Sequence, residues 1–599
     1  MLRRLTTLLL TIALLAVPAS PASAADPLVE GRFPVPGSFA DQLYDDFLGR
    51  EPDPGGLRVW TERLETSHAP AGVIRGFLES SELDGTMAAI VRLYFAEFGR
   101  LPDYDGLTHW LRLRRSGWTL EQISDAFVRS DEFQIRHGSL TDPEFIDLLY
   151  RHVLGRDPDP VGYSHWLGLL SSSQMTRGQV ALAFSESPEH RSKVRDRVLI
   201  TVLYLGMQRR SPDPVGYQHW LNQAGGGVSV EEVIDGFYRS AEYAARFPTA
   251  PSRLQIDTVA SGLSIPWDVE MAQDGALFFT ERSGGLSARL TDGTVRGLSG
   301  DFSDLWVSGE TGLTGLALDA DFASNRRLYT CQGHSSPREM QVIAWTVDAG
   351  YSQAVRVADP LVGGITAGSG RHGGCQLTID PSTGLLWIGT GDGAIGSTPQ
   401  NLQSLAGKVL VVDPATGGPA PGAPFGGAAD PRTRLIWSYG HRNVQGLPAS
   451  LDRGVWAIEH GPNVDDEVNN RLLGTNAGWD PVPGYNENVP MTDLVKFPDA
   501  VPAAWSSGPS RVAASGGDFL EGTAWGSWDG ALATATLRDR RLRVLFFSDG
   551  GLYLGQVVPA QMDRTFGRLR AAMLGPDDAL YMTTSNGSGA DRILRITPG

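Results

Sequence analysis

This sequence has few cysteines, no surplus of basic residues, and no long apolar run beyond its first 24 residues. The formal net charge at pH 7 is −17, which excludes nucleic acid as a partner because phosphate binding needs a cationic face. Without a later apolar run, no membrane span is predicted in the mature chain. The two cysteines, Cys331 and Cys375, are expected to pair if the chain is exported, the alternative being two buried free thiols.

Residues 1–24 have the pattern of a secretory signal peptide. Arg3-Arg4 form a charged start, Leu5 to Val17 form an apolar segment, and Ala22-Ser23-Ala24 form a small-residue cleavage site. A membrane anchor is the alternative, although the apolar segment is short for a span. We therefore predict an exported and soluble mature protein, secreted or otherwise extracytoplasmic at the cell surface or in the periplasm.

Size and composition predict at least two domains. A chain of 599 residues is too long for a single hydrophobic core, and its 72 glycines indicate many turns, as in all-β architectures. Residues 38–247 repeat one unit four times with a spacing near 50 residues. Such a period with helical patterning predicts stacked helical units.

Each unit carries the same Arg, Pro, Asp, Gly and Trp anchors. These are Arg50, Pro52, Asp53, Gly56 and Trp60; Arg100, Pro102, Asp103, Gly106 and Trp110; Arg156, Pro158, Asp159, Gly162 and Trp166; and Arg210, Pro212, Asp213, Gly216 and Trp220. We expect a helix to end at the arginine, a Pro-Asp turn to follow, and a second helix to begin near the glycine with the tryptophan in the core.

The four units resemble a helical repeat of unknown function that is appended to many exported bacterial proteins. The resemblance implies no enzyme activity, so we expect a structural spacer or a module that attaches to a cell-surface partner. The alternative is calcium or carbohydrate binding by the Asp-Pro-Asp turns, although their aspartates are more simply helix caps.

The second part of the chain has the pattern of an all-β domain. Residues 248–253 have the composition of a linker, and residues 254–598 consist of short strands with Gly-rich turns. Six segments alternate like hairpins: WDVEMAQDGALFFTER, GLALDADFASNRRLYTCQ, CQLTIDPSTGLLWIGTGDG, VQGLPASLDRGVWAIEHG, GGDFLEGTAWGSWDGALATATL and RLRAAMLGPDDALYMTTS. The predicted fold is therefore multidomain, with N-terminal all-α helical repeats and a C-terminal all-β six-bladed propeller whose loops converge at one end of a channel.

Two segments of this β region combine an anion site with ligands for a cation. In YGHRN, residues 439–443, Arg442 lies in a tight turn, and arginine binds carboxylates bidentately. In EHGPNVDDE, residues 459–467, a Gly-Pro turn offers free carbonyls beside three carboxylates, the oxygen ligands that Ca²⁺ prefers. Together the segments predict a ligand that carries several carboxylates and binds next to calcium.

Residues 254–598 resemble the soluble glucose/sorbosone dehydrogenases. The resemblance is carried by GETGLTGLALDADF, RHGGCQL, LAGKVLVVD, YGHRNVQGL, EHGPNVDDEVN, NAGWDPVPGY and GRLRAAMLGPDDALY, in the order of the family. It implies a six-bladed propeller that binds pyrroloquinoline quinone (PQQ) and Ca²⁺. The activity it implies is oxidation of the anomeric carbon of an aldose sugar to a lactone by hydride transfer, with an external electron acceptor.

The resemblance assigns a catalytic residue and a set of cofactor ligands. His372 matches the general base of the family, since a neutral imidazole suits proton removal near pH 7; a structural histidine in a glycine-rich turn is the alternative. PQQ carries three carboxylates and needs several cations. The implied cofactor-binding residues are Glu310, Arg442, Asn443, Arg538, Arg568 and Arg570. Surface salt bridges are the alternative for the arginines, and Arg371 and Gln376 are candidate substrate-facing residues.

Calcium is assigned chiefly to backbone atoms. Gly461 and Pro462 match the residues whose carbonyls hold the ion against the quinone. Glu467 matches a ligand of a second, structural calcium ion in some members, but Ala477 replaces an aromatic residue there, and a solvated acidic turn is the alternative. No aromatic residue occurs at 509–516, where some members stack one over the quinone, which weakens the case for glucose-type specificity.

Two other functions are compatible with a propeller. A non-catalytic propeller would bind a glycan or a protein at the cell surface, because a fold alone does not settle activity. That alternative predicts that Arg442, Arg568 and Arg570 do not converge with His372. A hydrolytic propeller such as a lactonase would need inward carboxylates and asparagines around its metal, and the sequence offers no comparable set.

Overall fold

The computed structural model describes residues 31–599. The predicted signal peptide, residues 1–24, lies outside the described residues. A helical region is followed by six four-stranded sheets, so the predicted fold class, helical repeats followed by a six-bladed propeller, is confirmed. Within residues 31–599 no helix has the length and apolar character needed to cross a membrane.

The helical region contains short helices joined by tight turns. They are α1 Pro36–Leu43, α2 Pro54–Ser67, α3 Pro70–Leu78, α4 Ser81–Asp84, α5 Met87–Leu93, α6 Tyr104–Arg115, α7 Leu120–Arg129, α8 Asp131–His137, α9 Asp142–Leu149, α10 Pro160–Ser171, α11 Arg177–Ser185, α12 Pro188–Met207, α13 Pro214–Gly225, α14 Val230–Tyr238 and α15 Ala241–Ala244. One turn of π-helix extends α1, α5 and α9, at Tyr44–Leu48, Tyr94–Phe98 and Tyr150–Leu154.

The recurring aspartate of each unit is a helix cap. Asp103 accepts a hydrogen bond from the Gly106 amide at 2.7 Å and begins α6. The equivalent aspartates Asp53, Asp159 and Asp213 cap α2, α10 and α13 in the same way. The cap satisfies one of the amides that the first turn of a helix leaves without a partner. The interpretation of these aspartates as caps is therefore confirmed.

The recurring arginine ties the two ends of each unit together. Arg100 pairs with Glu132 at 2.6 Å, and its guanidinium lies 5.0 Å from the ring centroid of Tyr94. The pairs Arg50–Glu82, Arg156–Glu189 and Arg210–Glu242 repeat this arrangement. The recurring spacing of Tyr, Arg, Asp and Glu thus serves the fold of the repeat.

Replacing Asp103 by alanine is expected to lower the free energy of unfolding of the helical region by about 1 kcal/mol, the usual value of an N-cap. Urea unfolding followed by far-UV circular dichroism measures the change. Asp103→Asn is the matched control, because asparagine is an equally good cap and loses only an exposed ion pair with Arg100. Equal unfolding midpoints for the alanine and asparagine variants would contradict the capping role.

The β region forms six blades, each of four strands that run in order from the inner to the outer edge. Blade 1 is β2 Pro266–Met271, β3 Leu277–Glu281, β4 Gly285–Arg289 and β5 Val295–Gly297. Blade 2 is β6 Leu313–Leu318, β7 Arg327–Ser335, β8 Arg338–Val347 and β9 Ala354–Thr366, with α16 Phe322–Asn325 between β6 and β7. Blade 3 is β10 Cys375–Ile379, β11 Leu386–Thr390, β12 Lys408–Val412 and β13 Ile436–Tyr439.

The remaining blades complete the ring. Blade 4 is β14 Val444–Gly446, β17 Ala457–Glu459, β18 Glu467–Asn469 and β19 Trp505–Ser506, with a small hairpin of β15 Ala449–Ser450 and β16 Gly454–Val455. Blade 5 is β20 Ala514–Phe519, β21 Leu532–Thr536, β22 Leu542–Phe547 and β23 Tyr553–Val557. Blade 6 is β24 Leu569–Leu574, β25 Leu580–Thr584, β26 Asp591–Pro598 and β1 Leu254–Leu263.

The ring closes because the first and last strands of the β region share blade 6. Strand β1 pairs antiparallel with β26, from Leu254 opposite Pro598 to Leu263 opposite Asp591. The inner strands of successive blades contact one another all the way around. Glycine allows this close approach: a Cβ on Gly315 would lie 2.5 Å from the carbonyl oxygen of Cys375 in the next blade.

Two further contacts tie the ring to its surroundings. Cys331 and Cys375 form a disulfide that links β7 of blade 2 to β10 of blade 3. The helical region packs directly on blade 5, where a Cβ on Gly37 of α1 would lie 2.0 Å from the Leu554 carbonyl oxygen of β23. One continuous apolar core runs from the helices into blades 5 and 6.

Candidate active site

Side chains that are far apart in sequence meet at one end of the ring. Each inner strand begins at this end and each second strand ends there, because neighbouring strands of a blade are antiparallel. Glu310, His372 and Arg442 precede the inner strands β6, β10 and β14, whereas Asp392 and His460 follow the second strands β11 and β17. This convergence is the arrangement that a propeller provides for a ligand.

A cavity of about 370 Å³ opens at this end. Its lining residues are Ile265, Trp267, Arg282, Glu310, Gln445, His460, Arg511, Ala513, Leu537, Arg538, Arg568, Arg570 and Ser585. Five guanidinium groups therefore face a single carboxylate, that of Glu310. The hydrogen bonds that Arg282, Arg511 and Arg570 donate go to neutral oxygens. Such a set of cations is suited to a ligand with several carboxylates.

Arg570 forms the floor of the cavity. Its side chain is buried, with 8% of its surface exposed, and its guanidinium lies 3.7 Å from the ring centroid of Trp267. Its hydrogen-bond partners are the Ser585 hydroxyl at 3.2 Å and the Gln445 amide oxygen at 3.3 Å. Burial lowers the pKa of Arg570 to about 9. The folded chain thus buries a cation to which no carboxylate of the described residues is bound.

A chain of amide hydrogen bonds connects Glu310 to Arg570. Asn443 donates to the Glu310 carboxylate at 3.0 Å, and its carbonyl oxygen accepts from the Gly374 amide and from Gln445, both at 3.2 Å. Gln445 in turn accepts from Arg570. Asn443 is fully buried, so it holds the carboxylate and the arginine in one fixed arrangement.

His372 is buried next to a carboxylate. Its backbone is in the left-handed region, with φ at 53°, and its Nδ1 lies 2.9 Å from Oδ1 of Asp392. Asp392 also accepts from the Ala394 amide at 2.8 Å, from Trp479 Nε1 at 2.9 Å and from the Tyr485 hydroxyl at 2.7 Å. Since a carboxylate only accepts, Nδ1 of His372 carries the proton and Nε2 has a free lone pair.

Arg442 is bound by the neighbouring loops. It donates to the His460 carbonyl at 3.0 Å and to the Glu487 carboxylate at 2.6 Å, while its buried Nε has no partner among the described residues. Arg371 donates to the same Glu487 oxygen at 2.7 Å. Although burial opposes it, these two arginines lower the pKa of Glu487 to about 2. Glu487 is therefore an anion clamped between two guanidinium groups.

The segment predicted to hold calcium lies directly after His460. Gly461 and Pro462 are buried, and a Cβ on Gly461 would lie 2.0 Å from the Val464 carbonyl oxygen. In the part of the chain that the structure describes, no group of three or more His, Cys, Asp or Glu side chains is suited to a metal ion. A cation here would depend on backbone carbonyls.

The predicted residues fall into three groups. Glu310, Arg538, Arg568 and Arg570 line the cavity, whereas His372, Arg442 and Asn443 lie in the loops and strand ends beside it. Glu467 lies within blade 4, opposite Glu459 in the register of β17 and β18, and its Oε2 is buried without a partner among residues 31–599. Gln376 donates to Asp268 at 2.7 Å inside the central channel, away from the cavity.

Several residues of the site have no role predicted from the sequence. Asp392 is in the turn after β11, and Trp479 and Tyr485 lie in the loop between β18 and β19. The NAGWDPVPGY segment that contains Trp479 and Tyr485 supports the family resemblance, but nothing in its spacing points to His372. Arg282 lies in a turn and Arg511 in a loop, and neither belongs to a recognisable motif. His460 lies in the string EHGPN, in which the Gly-Pro pair is the more conspicuous signal. Burial lowers the pKa of His460 well below its ordinary value, so it stays neutral.

The β region matches the family model of glucose/sorbosone dehydrogenase over residues 263–595. The helical region matches the model of a domain of unknown function (DUF4214) over residues 33–87, 124–194 and 190–247. The first match covers more than half of the chain, and it includes every residue that lines the cavity.

Three known proteins illustrate the similarity. The aldose sugar dehydrogenase of Escherichia coli is 27% identical over 369 residues, which are 58% of this chain and 94% of that protein. Quinoprotein glucose dehydrogenase B of Acinetobacter calcoaceticus is 25% identical over 261 residues, 38% of this chain and 53% of that protein. A solved structure of a glucose dehydrogenase is 26% identical, with a TM-score of 0.51 over 57% of this chain and 98% of that chain.

Proposed function

Because the chain belongs to the glucose/sorbosone dehydrogenase family of sugar oxidoreductases, we propose that it oxidises the anomeric carbon of an aldose to a lactone, with PQQ and Ca²⁺ as cofactors. The observation that carries the proposal is the His372–Asp392 pair beside a cavity with five guanidinium groups. An aldose needs a base for its hydroxyl proton, and a tricarboxylic cofactor needs cations. One of the similar proteins is itself a quinoprotein.

The residues present fit PQQ. Arg538, Arg568 and Arg570 line the cavity, and no carboxylate of the described residues is bound to them, so three guanidinium groups are free to bind three carboxylates. Glu310 lines the same cavity, and Asn443 donates a hydrogen bond to its carboxylate. The buried Nε of Arg442 is a donor that still lacks an acceptor among residues 31–599, and a buried donor without a partner is costly.

The residues also fit calcium at the Gly461-Pro462 turn. No backbone donor among the described residues approaches the carbonyl oxygens of Gly461 and Pro462, and the carbonyl of Val464 lies close to Gly461. Carbonyl oxygens without a partner are the ligands that Ca²⁺ prefers. A second ion would bind at Glu467, where Oε2 lacks a partner among the described residues and the neighbouring Glu459 adds a second carboxylate.

His372 acts as the general base in this mechanism. Its Nε2 accepts the proton of the anomeric hydroxyl, while the hydrogen bond from Nδ1–H to Asp392 stabilises the imidazolium that forms. When bound, PQQ together with calcium supplies a polarised quinone carbonyl that takes up the hydride. Glu487 binds both Arg371, which is next to His372 in the sequence, and Arg442, and we propose that these two cations orient the sugar. The electrons finally leave to an external acceptor.

We further propose that the chain works outside the cytoplasm. The Cys331–Cys375 disulfide favours an oxidising compartment, as does the signal-like sequence of residues 1–24. The helical region would then act as a spacer or attachment module, because the residues that recur in its units serve caps and ion pairs within the repeat.

Reconstitution tests the proposed activity. We expect the purified chain, freed of metal and cofactor, to regain sugar-dependent dye reduction when PQQ and Ca²⁺ are added together, and to show saturable quinone binding by absorbance titration. A panel of aldoses identifies the substrate. Calcium alone or PQQ alone is the control.

The result of the reconstitution also distinguishes a dehydrogenase from a non-catalytic propeller that binds a glycan or a protein. Quinone binding without dye reduction by any aldose would point to a different alcohol as substrate. Absence of both quinone binding and dye reduction would contradict the dehydrogenase and favour a propeller that binds a glycan or a protein.

A further inference from the structure

We propose that Tyr485 is a positioning residue for the base, which holds His372 in the Nδ1–H tautomer through the Asp392 carboxylate. The inference rests on the proposed role of His372 as general base. Tyr485 and Asp392 are 93 residues apart in sequence, and they belong to different blades. The contact exists only because the loop between β18 and β19 of blade 4 reaches across to blade 3.

The Tyr485 hydroxyl lies between the imidazole of His372 and the carboxylate of Asp392. Its oxygen lies 2.7 Å from Oδ2 of Asp392 and 2.8 Å from Nδ1 of His372. Nδ1 is therefore bracketed by Oδ1 of Asp392 at 2.9 Å and by the phenol oxygen. Both His372 and Asp392 are buried, so water does not compete for these bonds.

Counting protons fixes the direction of each bond. The hydroxyl has one proton, and it donates to Oδ2 of Asp392, since a carboxylate is the stronger acceptor. Its lone pair then faces the Nδ1–H of His372. Burial and the Asp392 charge raise the pKa of Tyr485 well above its ordinary value, so the hydroxyl stays protonated. In the alternative tautomer, with the proton on Nε2, the Nδ1 lone pair would face Oδ1 of Asp392, and the hydroxyl would have to give up its bond to Oδ2 in order to donate to Nδ1.

The same loop holds the surrounding residues in place. Trp479 donates to Oδ2 of Asp392 at 2.9 Å, and Glu487 binds Arg371 and Arg442. The guanidinium of Arg371 lies 5.6 Å from the ring centroid of Tyr485. One loop thus orients the base through Tyr485 and the neighbouring cations through Glu487, which makes Tyr485 separable from the cation contacts by mutation.

Tyr485→Phe removes the hydroxyl and keeps the ring. In the full chain without cofactor, labelled with ¹⁵N-histidine, we expect wild-type His372 to show the Nδ1–H tautomer alone. We expect Tyr485→Phe to show a mixture with the Nε2–H form, because Asp392 then loses the hydroxyl donor to Oδ2 that holds its Oδ1 against Nδ1. After reconstitution, the rate of quinone reduction by sugar should fall about tenfold or more, in the range known for residues that orient a functional histidine. The KM for sugar and the quinone titration should not change.

Two variants make the test specific. Tyr329→Phe removes another Tyr–Asp hydrogen bond of the propeller, to Asp319, and should leave both the tautomer and the rate at wild-type values. Trp479→Phe removes the other side-chain donor to Oδ2 of Asp392 but keeps the hydroxyl, so the Nδ1–H tautomer should persist even if the loop is less stable.

The tautomer is measured without cofactor, so a failed reconstitution does not contradict this inference. An unchanged tautomer in Tyr485→Phe, in turn, does not contradict the proposed dehydrogenase activity. A Tyr485→Phe protein with the wild-type tautomer and rate would overturn the proposal. So would a Trp479→Phe protein that loses the Nδ1–H form while Tyr485→Phe keeps it.

Discussion

Replacement of His372 by asparagine is expected to slow quinone reduction by sugar about 10³-fold, within the range of general-base catalysis. Asparagine cannot take up the hydroxyl proton, and it tolerates the left-handed backbone that His372 adopts, with φ at 53°. His372→Ala should lose the same activity with some added strain. Quinone affinity should stay within about twofold of wild type, because the cations of the cavity are untouched. Stopped-flow reduction and absorbance titration measure the two quantities.

Asp392→Asn provides the companion experiment. An asparagine can present its amide to Nδ1 of His372 and thereby favour the wrong tautomer; in the Ser-His-Asp triad the same exchange lowers kcat about 10⁴-fold. We expect a loss of at least about 10²-fold here, since the Tyr485 hydroxyl still faces Nδ1. If His372→Asn instead unfolds the chain while Asp392→Asn keeps full activity, His372 is a structural histidine.

The fold could be predicted because its signals are local. Each of the six predicted hairpins is the pair of inner strands of one blade, as in β2–β3 and β24–β25, where alternation and turn residues lie close together along the chain. The aspartate caps of the helical units are equally local, since Asp103 caps the amide three residues later.

The site could be predicted only in part because its contacts are not local. Motifs predict His372 and most arginines of the cavity, whereas the roles of Asp392 and Tyr485 are not predicted. These two residues reach His372 from two loops, and the motif that contains Tyr485, NAGWDPVPGY, does not show which side chain it places next to His372. Gln376 shows that closeness in sequence to a site residue does not place a side chain in the site. It stands four residues after His372, yet the strand turns its side chain to Asp268 in the channel, and only the path of β10 determines that.

Replacement of Arg570 by methionine is expected to have opposite effects on the two states of the protein. The unliganded chain should become more stable, by about 1 kcal/mol or more, because exchanging a poorly compensated buried ion for an apolar group of similar volume is often stabilising. Methionine keeps the contact with Trp267. Quinone affinity should fall about 100-fold or more, since truncating one partner of a buried charge pair costs about 2–5 kcal/mol.

The pKa of Arg570 determines how the gain in stability of Arg570→Met depends on pH. Burial lowers this pKa well below its ordinary value, to about 9, so the charged form is disfavoured in the folded chain. The resulting penalty to stability is fully present below a pH of about 9 and is relieved as the pH rises from there towards the ordinary pKa of arginine. The stability advantage of Arg570→Met, measured by thermal unfolding of the unliganded chain, should therefore be largest at neutral pH and shrink above a pH of about 9.

Arg538→Met is the matched control for Arg570→Met. Arg538 also lines the cavity but is exposed, so its loss should leave stability unchanged and weaken quinone binding by about tenfold or less. A methionine at 570 that destabilises the unliganded chain and leaves quinone affinity intact would show that Arg570 serves the packing of blade 6. The expected combination is a more stable chain that no longer binds the quinone. This result would show that the Arg570 cation is buried in order to bind the ligand, because such a cation destabilises the protein until the ligand is bound.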